Sequence, residues 1–457
     1  MPTEYLDTLR PCVLNSHMSK TVYIRTFGCQ MNVHDSEKML GILEREGYSA
    51  TDNPRKADLI IFNTCSIRQK AEQKFYSELG RIKSFKKRNA ALKIAVAGCI
   101  AQHEGENILQ RAPFVDVIIG PQNIHILKDL SDGRTKSVFL EDNPDISIVD
   151  LPVKRDNGVK AWITIMYGCN NFCSYCVVPY TRGRERSRPS ENIYSEVLEL
   201  AEKGYKEIIL LGQNVNSYQS DIDFPELLRR LDRVGGIERI RFITSHPKDL
   251  SNDLIESMER LSKVCEHIHL PLQSGSSKIL KFMNRRYTYK EYRDKILSLR
   301  KQIPDISITS DIIAGFPDET DEDHMLTIRA LREIEFDGIY AFKFSARKGT
   351  RAAQINDRVS GEMKSQRLSE ILFVQDEITT RKNKSLEDTI QEVLIEGQSD
   401  SDKEQSTGRT RTNKIVNIPE SFIDKGTLLH VEITKGRRHS LEGKVIDNES
   451  ISPYARL

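Results

Sequence analysis

Between residues 22 and 120, short apolar runs alternate with stretches of helical period. VYIRTF (22–27), DLIIFN (58–63) and KIAVAG (93–98) read as strands. DSEKMLGILEREG clusters Met39, Leu40, Ile42 and Leu43 on one helix face, and a second helix opens near Ile67. Strand–helix alternation of this kind predicts a parallel sheet. Six more β-rich runs lie between Trp162 and Ser345: ITIMYG, EIILLG (207–212), IRFITS (240–245), HIHLPL (267–272), ISITSDIIAGF (306–316) and IYAFKFS (339–345). Helical stretches such as NIYSEVLELAEKG and YKEYRDKILSLRKQ separate them, so six βα units predict an open, partial (β/α)6 barrel of the TIM-like kind, with chemistry at its C-terminal mouth. From about Asn383 the pattern changes to strands broken by glycine: TIQEVLIEG (389–397), TGRTRTNKIVNIP (407–419), TLLHVEITKG (427–436) and LEGKVID (441–447). These predict a small antiparallel β-barrel of the oligonucleotide-binding kind. The chain thus reads as a multidomain α/β protein with units over 21–137, 155–382 and 383–447.

At 457 residues, about three domains are expected. No run approaches the 18 or more apolar residues of a membrane span. The N-terminus (MPTEYLDTLRPCVLNSHMSK) is polar where a signal peptide needs its apolar core, so a cytoplasmic chain is expected, with no membrane partner. In that compartment thiols stay reduced and available to metal. The formal net charge of +2 carries no information about nucleic acid.

Cysteine placement changes the picture. YGCNNFCSYC (167–176) sets Cys169, Cys173 and Cys176 in a CxxxCxxC loop directly after the apolar run ITIM. Three thiolates on a cube of four irons leave one iron without a protein ligand, open to a chelating small molecule. A structural zinc site short of one ligand, or three unrelated core cysteines, are the alternatives. A second trio, Cys29, Cys65 and Cys99, follows the ends of the first three strands. In parallel sheets the functional edge lies at the carboxyl ends of the strands, so all three emerge on that edge. On the residues alone, three buried structural cysteines remain the alternative. Cys12 and Cys265 fit neither trio, and His246, His267 and His269 read as barrel or loop histidines.

These motifs carry a family resemblance. The CxxxCxxC loop resembles that of the radical S-adenosylmethionine (SAM) enzymes, and IIAGF (312–316) loosely matches their fifth strand. TFGCQMN (26–32), NTCSIR (63–68) and AGCIAQ (97–102) resemble the N-terminal domain of the methylthiotransferases, and the C-terminal unit resembles the TRAM domain of RNA-modifying enzymes. The likeness runs from about Thr21 to Asp447. It implies two [4Fe–4S] clusters, a radical-SAM cluster on Cys169, Cys173 and Cys176 and an auxiliary cluster on Cys29, Cys65 and Cys99. It implies two SAM molecules in different roles, a methyl donor and a radical source. It also implies SAM contacts from residues at the barrel strand ends, for which Tyr175, Gln213, Asn214, Ser245, Gln273 and Ser274 are the candidates; the bland reading of Gln213 and Gln273 is a loop-capping amide. YGCNNFCSYCVVPYTRGRERSRP, LGQNVNSY (211–218), TSHP (244–247) and LPLQSGS (270–276) look most like the branch that methylthiolates isopentenylated adenosine at position 37, beside the anticodon of tRNA. Within the family the alternatives are relatives acting on threonylcarbamoyladenosine in tRNA or on a ribosomal-protein aspartate. Outside it, an iron–sulfur electron carrier or redox sensor would need neither a barrel nor an RNA-binding domain.

Local charge supports an RNA partner. Arg409, Arg411 and Lys414 form one cluster in the last unit, and Lys435, Arg437 and Arg438 another, suited to phosphate contacts. TRGRERSRP (181–189) places Arg184, Arg186 and Arg188 in alternation just past the cluster loop, where an extended segment would point them to one side. Residues 278–301 add nine Lys or Arg against two acids. Charged loops that are merely solvated or salt-bridged are the bland reading of all of these. The resemblance further implies the tRNA anticodon stem-loop as substrate, an electron donor such as flavodoxin or ferredoxin, iron–sulfur and sulfur-delivery proteins, and a monomeric enzyme.

Overall fold

The computed structural model describes residues 20–66, 69–132, 136–155, 158–399, 402–420 and 422–446; Cys12 and Ile67 lie outside them. The first unit is a six-stranded sheet of β1 (Lys20–Thr26), β2 (Tyr48–Ala50), β3 (Leu59–Thr64), β4 (Lys93–Gly98), β5 (Val117–Ile119) and β6 (Ser137–Phe139). Its order is β2-β1-β3-β4-β5-β6, and every pairing is parallel. Strands β3 and β4 are buried along almost their whole length, the continuous apolar pattern expected of a sheet covered on both faces. The helices Gln30–Arg45 and Gln69–Arg88 follow β1 and β3, the former presenting Met39, Ile42 and Leu43 to the core.

The second unit contains six parallel strands in chain order. Strands β7 (Lys160–Thr164), β10 (Glu207–Leu211) and β11 (Arg239–Phe242) form one sheet; β12 (His267–His269), β13 (Ser307–Ala314) and β14 (Gly338–Lys343) form another. A single parallel bridge, Ile240 to Val264, joins the two into one open curve. Side chains alternate across it: Ile208, Leu210, Ile240, Phe242, Ile268, Ile308 and Ile312 pack in the main core under the helices. Their neighbours Glu207, Arg241, His267, His269 and Thr309 point to the opposite, inner face. Two short strands, β8 (Met166–Tyr167) and β9 (Arg186–Ser187), pair antiparallel and bracket the cysteine loop.

The third unit is a closed barrel, β15 (Ile390–Gln398), β16 (Ser406–Thr410), β17 (Ile415–Ile418), β19 (Leu441–Val445) and β18 (Leu428–Gly436) in spatial order. It is antiparallel except where β17 and β19 run parallel and close the ring. The run TGRTRTNKIVNIP, read above as one strand, is two, turning at Asn413 with its left-handed φ of 66°.

This barrel docks at the N-terminal ends of the partial-barrel strands, away from the cysteine loop. Arg239, the first residue of β11, donates to the Arg409 carbonyl at 2.7 Å and to Glu392 Oε1 at 2.8 Å. Arg241 donates to the carbonyls of Arg411 and Thr410, both at 2.7 Å, and to Glu207 Oε2 at 2.9 Å. The helix Gly361–Lys384 runs between the two ends. Arg367 near its start holds Glu319 beyond β13, while Lys382 and Asn383 at its end hold Asp337 and the Arg437 carbonyl.

Candidate functional site

Strands β1, β3 and β4 are neighbours, so their carboxyl ends deliver Cys29, Cys65 and Cys99 to one place. The approach is close: at Gly28 (φ 132°) an added Cβ would stand 2.3 Å from Cys65 Cβ and 3.2 Å from its sulfur. A side chain there would displace the thiol. Asn32 supports the loops from below, donating to Asn63 Oδ1 at 3.0 Å and to the Thr64 carbonyl at 3.2 Å. The Cys29 thiol is pulled down to about 6 by its hydrogen bond with Cys65, helped by the positive charge of Arg182. Burial pushes Cys99 the other way, while Arg182 opposes that shift by charge and a hydrogen bond. Arg182 belongs to the second unit, six residues beyond Cys176, and its guanidinium is locked on Asp35 of the first unit at 2.7 Å. Lys38 crosses the same boundary to Tyr167 Oη at 3.1 Å. Both cysteine trios therefore border one interface between the first two units.

Cys169, Cys173 and Cys176 sit in the loop between β8 and β9, folded back so that the Cys169 amide donates to the Gly183 carbonyl at 3.2 Å. Gly168 (φ 70°) makes this possible, since a Cβ there would lie 2.0 Å from the Arg184 carbonyl oxygen. Burial raises the Cys169 thiol to about 11 and Cys176 to about 12. Thiols so placed ionise more readily beside a cation, which a bound metal would supply. None of the seven cysteines described is in a disulfide. Among the described residues no three His, Cys, Asp or Glu converge as ligands of one metal ion.

At the mouth, the strand-end polar residues behave in two ways. Both amide atoms of Gln213, Asn214 Oδ1 and Ser245 Oγ are buried without a hydrogen-bond partner, as is Nε2 of neighbouring His246. Buried polar atoms left unpaired cost about 1–3 kcal/mol each, so a cluster of them marks where a polar ligand belongs. Non-glycine residues with left-handed backbone, Thr244 (φ 72°) and Gln273 (φ 74°), flank the same region. By contrast Ser274 is already engaged with Thr327 and the Ser276 amide, and Tyr175 is partly buried with its hydroxyl 3.5 Å from Arg285.

The arginines also divide. Arg184 is exposed, its guanidinium 4.4 Å from the centre of the Phe172 ring beside the cysteine loop. Arg186 pairs with Asp142. Arg188 does not share their side: it is buried, donating to Glu196 at 2.8 Å and to the Thr164 carbonyl at 2.7 Å. Arg411 is a docking contact instead of an open phosphate ligand, held by Glu266 at 2.7 Å and by the Val264 carbonyl. Arg409 is drawn to Glu396 at 3.1 Å, and Lys414 to Asp337. Arg437 and Arg438 stay about half exposed, with surface partners Glu442 and Asp376. Sequence reasoning passed over Arg182 and Arg285; each was visible only as one charge in a basic stretch.

Comparisons with known proteins fit this geometry. Residues 21–120 match the model of an uncharacterized protein family, UPF0004; residues 163–331 match the radical SAM superfamily and residues 384–446 the TRAM domain. The chain is 58% identical to the tRNA-2-methylthio-N(6)-dimethylallyladenosine synthase of Thermodesulfovibrio yellowstonii, over 93% of this chain and 99% of that protein. It is 46% identical to the synthase of the same name from Clostridium botulinum, over 95% and 99%. Among solved structures, the radical SAM methyltransferase TsrM from Kitasatospora setae, with cobalamin and a [4Fe–4S] cluster bound, shares the fold. There the TM-score is 0.52 at 15% identity, covering 71% of this chain and 75% of that one.

Proposed function

The chain belongs to the methylthiotransferase family of radical-SAM proteins, and from that membership we propose that it converts N6-isopentenyladenosine at position 37 of tRNA to its 2-methylthio derivative. Curated relatives 46–58% identical over more than nine-tenths of the chain bear the name of that activity. The observation that carries the reading is the meeting of two cysteine trios at one boundary, with Arg182 reaching from the loop of one to the thiols of the other. When bound, a [4Fe–4S] cluster on Cys169, Cys173 and Cys176 with SAM supplies radical hydrogen abstraction, and a second cluster on Cys29, Cys65 and Cys99 supplies the sulfur position for methylthio transfer.

The chain's own residues prepare that cavity. Gln213, Asn214 and Ser245 offer unpaired polar atoms to SAM at the strand ends, and Gln273 presents its backbone turn beside them. Tyr175, between two ligand cysteines, would help hold SAM when it is bound. Burial keeps the loop dry, which protects a reactive species from quenching. A base stacked in a duplex could not enter, so the nucleotide arrives single-stranded or extruded, as in an anticodon loop. Arg184, exposed on Phe172 at the loop, contacts the nucleotide near the reacting base. Arg437 and Arg438 on the TRAM barrel contact phosphates farther along. The chain acts as a cytoplasmic monomer supplied by an electron donor such as flavodoxin or ferredoxin and by iron–sulfur and sulfur-delivery proteins.

Mass spectrometry of tRNA nucleosides from cells lacking the protein tests the substrate. Methylthio groups should disappear from isopentenylated adenosine and return with the wild-type gene. The C29A/C65A/C99A variant should still cleave SAM but restore no methylthio product, whereas C169A/C173A/C176A should do neither. Undiminished 2-methylthio-isopentenyladenosine in the deleted strain would refute the assignment.

A further inference from the structure

The segment after the helix Ser277–Phe282 folds over the cysteine loop and buries a guanidinium beneath it. Two hydrogen bonds pin it from one side, the Ser174 amide to the Met283 carbonyl at 2.9 Å and Ser174 Oγ to the Phe282 carbonyl at 2.8 Å. Asn284 pins it from the other, donating to the Phe172 carbonyl at 2.9 Å and the Asn171 carbonyl at 3.3 Å. Asn284 and Arg286 both take left-handed backbone (φ 57° and 59°), and Arg285 between them is only 4% exposed. Its Nη1 donates to Cys173 Sγ at 3.3 Å and lies 3.5 Å from Tyr175 Oη. Its Nη2 donates to the Pro271 carbonyl at 2.9 Å, and its Nε to Tyr287 Oη at 3.0 Å.

What sets Arg285 apart is its lack of an acid. Among the described residues five other arginines are buried, and each has a carboxylate: Arg182 with Asp35, Arg188 with Glu196, Arg239 with Glu392, Arg241 with Glu207 and Arg367 with Glu319. No described carboxylate pairs with Arg285. A buried cation without a counter-ion is strongly disfavoured, so an anion is owed to this site. The sulfur 3.3 Å away identifies where that anion resides.

We propose that Arg285 is the protein counter-ion of the iron–sulfur cluster on the Cys169–Cys176 loop, donating to the Cys173 sulfur and making the cluster easier to reduce. The proposal rests on the reading that this trio holds a [4Fe–4S] cluster. Hydrogen bonds to ligand sulfur, local charge and solvent exclusion are the protein's means of setting a cluster's potential. Arg285 supplies the first two from a dry position. It acts through Cys173 and is a positioning residue, which also steadies the hydroxyl of Tyr175.

The test uses the full chain carrying C29A/C65A/C99A, so that one cluster reports alone. R285K and R285M are made in that background, reconstituted anaerobically, and followed by iron content and EPR-monitored redox titration. R285M should shift the midpoint negative, lowering the reduced-to-oxidised ratio at fixed poise at least tenfold, or 59 mV for one electron. R285K should fall between, since it keeps the charge but loses the planar fork. If R285M binds no iron, R285K decides: a midpoint negative of the parent supports the proposal. Loaded variants with the parental midpoint overturn it. A parent that takes up no iron would instead overturn the cluster reading, a separate outcome.

Discussion

Replacing Arg241 with methionine tests the joint between the TRAM barrel and the catalytic barrel. The Arg241 and Glu207 side chains are each 3% exposed, and the guanidinium closes three hydrogen bonds: one to Glu207 Oε2 and two to the carbonyls of Thr410, which ends β16, and Arg411 just beyond it. R241M strands a buried carboxylate, a change that costs about 3–5 kcal/mol when one partner of such a pair is removed. The two orphaned carbonyls add to that unless water reaches them. E207M alone leaves the cation with its two carbonyl partners and should cost less. In E207M/R241M both charges are gone, so the double variant should be more stable than the sum of the singles predicts, by about 1–3 kcal/mol. Trp162, the only tryptophan, stands on β7 opposite Ile209, two residues along from Glu207 on the adjoining strand. Its fluorescence in a guanidinium titration reports unfolding of the barrel at this joint. A loss below about 1 kcal/mol for R241M, or strict additivity in the cycle, would refute the idea that this pair holds the joint.

Gly168→Ala should cripple iron loading of the Cys169 loop, because φ 70° costs a non-glycine residue about 1–3 kcal/mol and its Cβ would collide with the Arg184 carbonyl; Gly235→Ala, in open space, is the control, and equal iron in both would contradict this. Burial holds His34 well below its ordinary value, His246 at about 2 and His267 at about 3. The unfolded chain therefore binds more protons below pH ~6.5, and stability should fall as pH drops from 7 to 5, by up to about 1.4 kcal/mol per unit per histidine. Flat Trp162 denaturation midpoints over that range would count against it. R437E/R438E should weaken tRNA binding and lower its salt slope by about one unit per lost phosphate contact, leaving RNA-free SAM cleavage unchanged. R411E should instead destabilise the docked barrel, since it faces Glu266; parental salt dependence in R437E/R438E would remove those residues from the RNA contact.

The cysteines were legible because each sits at a place the strand pattern dictates. A thiol just past an apolar run in a parallel sheet has one edge on which to emerge, and β1, β3 and β4 are adjacent. Gln213, Asn214 and Ser245 were placed at strand ends by the same logic, and polar atoms of all three are buried there without a partner. Charges were harder to place, since spacing reports a charge but not its partner. Arg411 looked like a phosphate ligand because Glu266, 145 residues away, is invisible to local pattern. Arg188 looked like a sibling of Arg184 until Glu196 and the Thr164 carbonyl claimed it. Arg285 vanished into a basic stretch because neither Asn284 nor Arg286 advertises a left-handed backbone, and without that turn the side chain reads as solvated. The turn between β16 and β17 was missed for the same reason, having asparagine where glycine would have signalled it.

The two trios differ in when they can exist. Cys169, Cys173 and Cys176 are neighbours within one loop, and a short stretch of emerging chain already contains them all. Cys29, Cys65 and Cys99 are scattered across three strands and meet only after β1 and β4 have both paired with β3, with two helices traversed between. Parallel pairings of that sequence separation form late, because loop-closure entropy must be overcome before any contact compensates it. Order of biogenesis is therefore written into the topology: a factor delivering iron and sulfur to Cys29, Cys65 and Cys99 meets a finished sheet, and a chain halted before β4 has no such site to load.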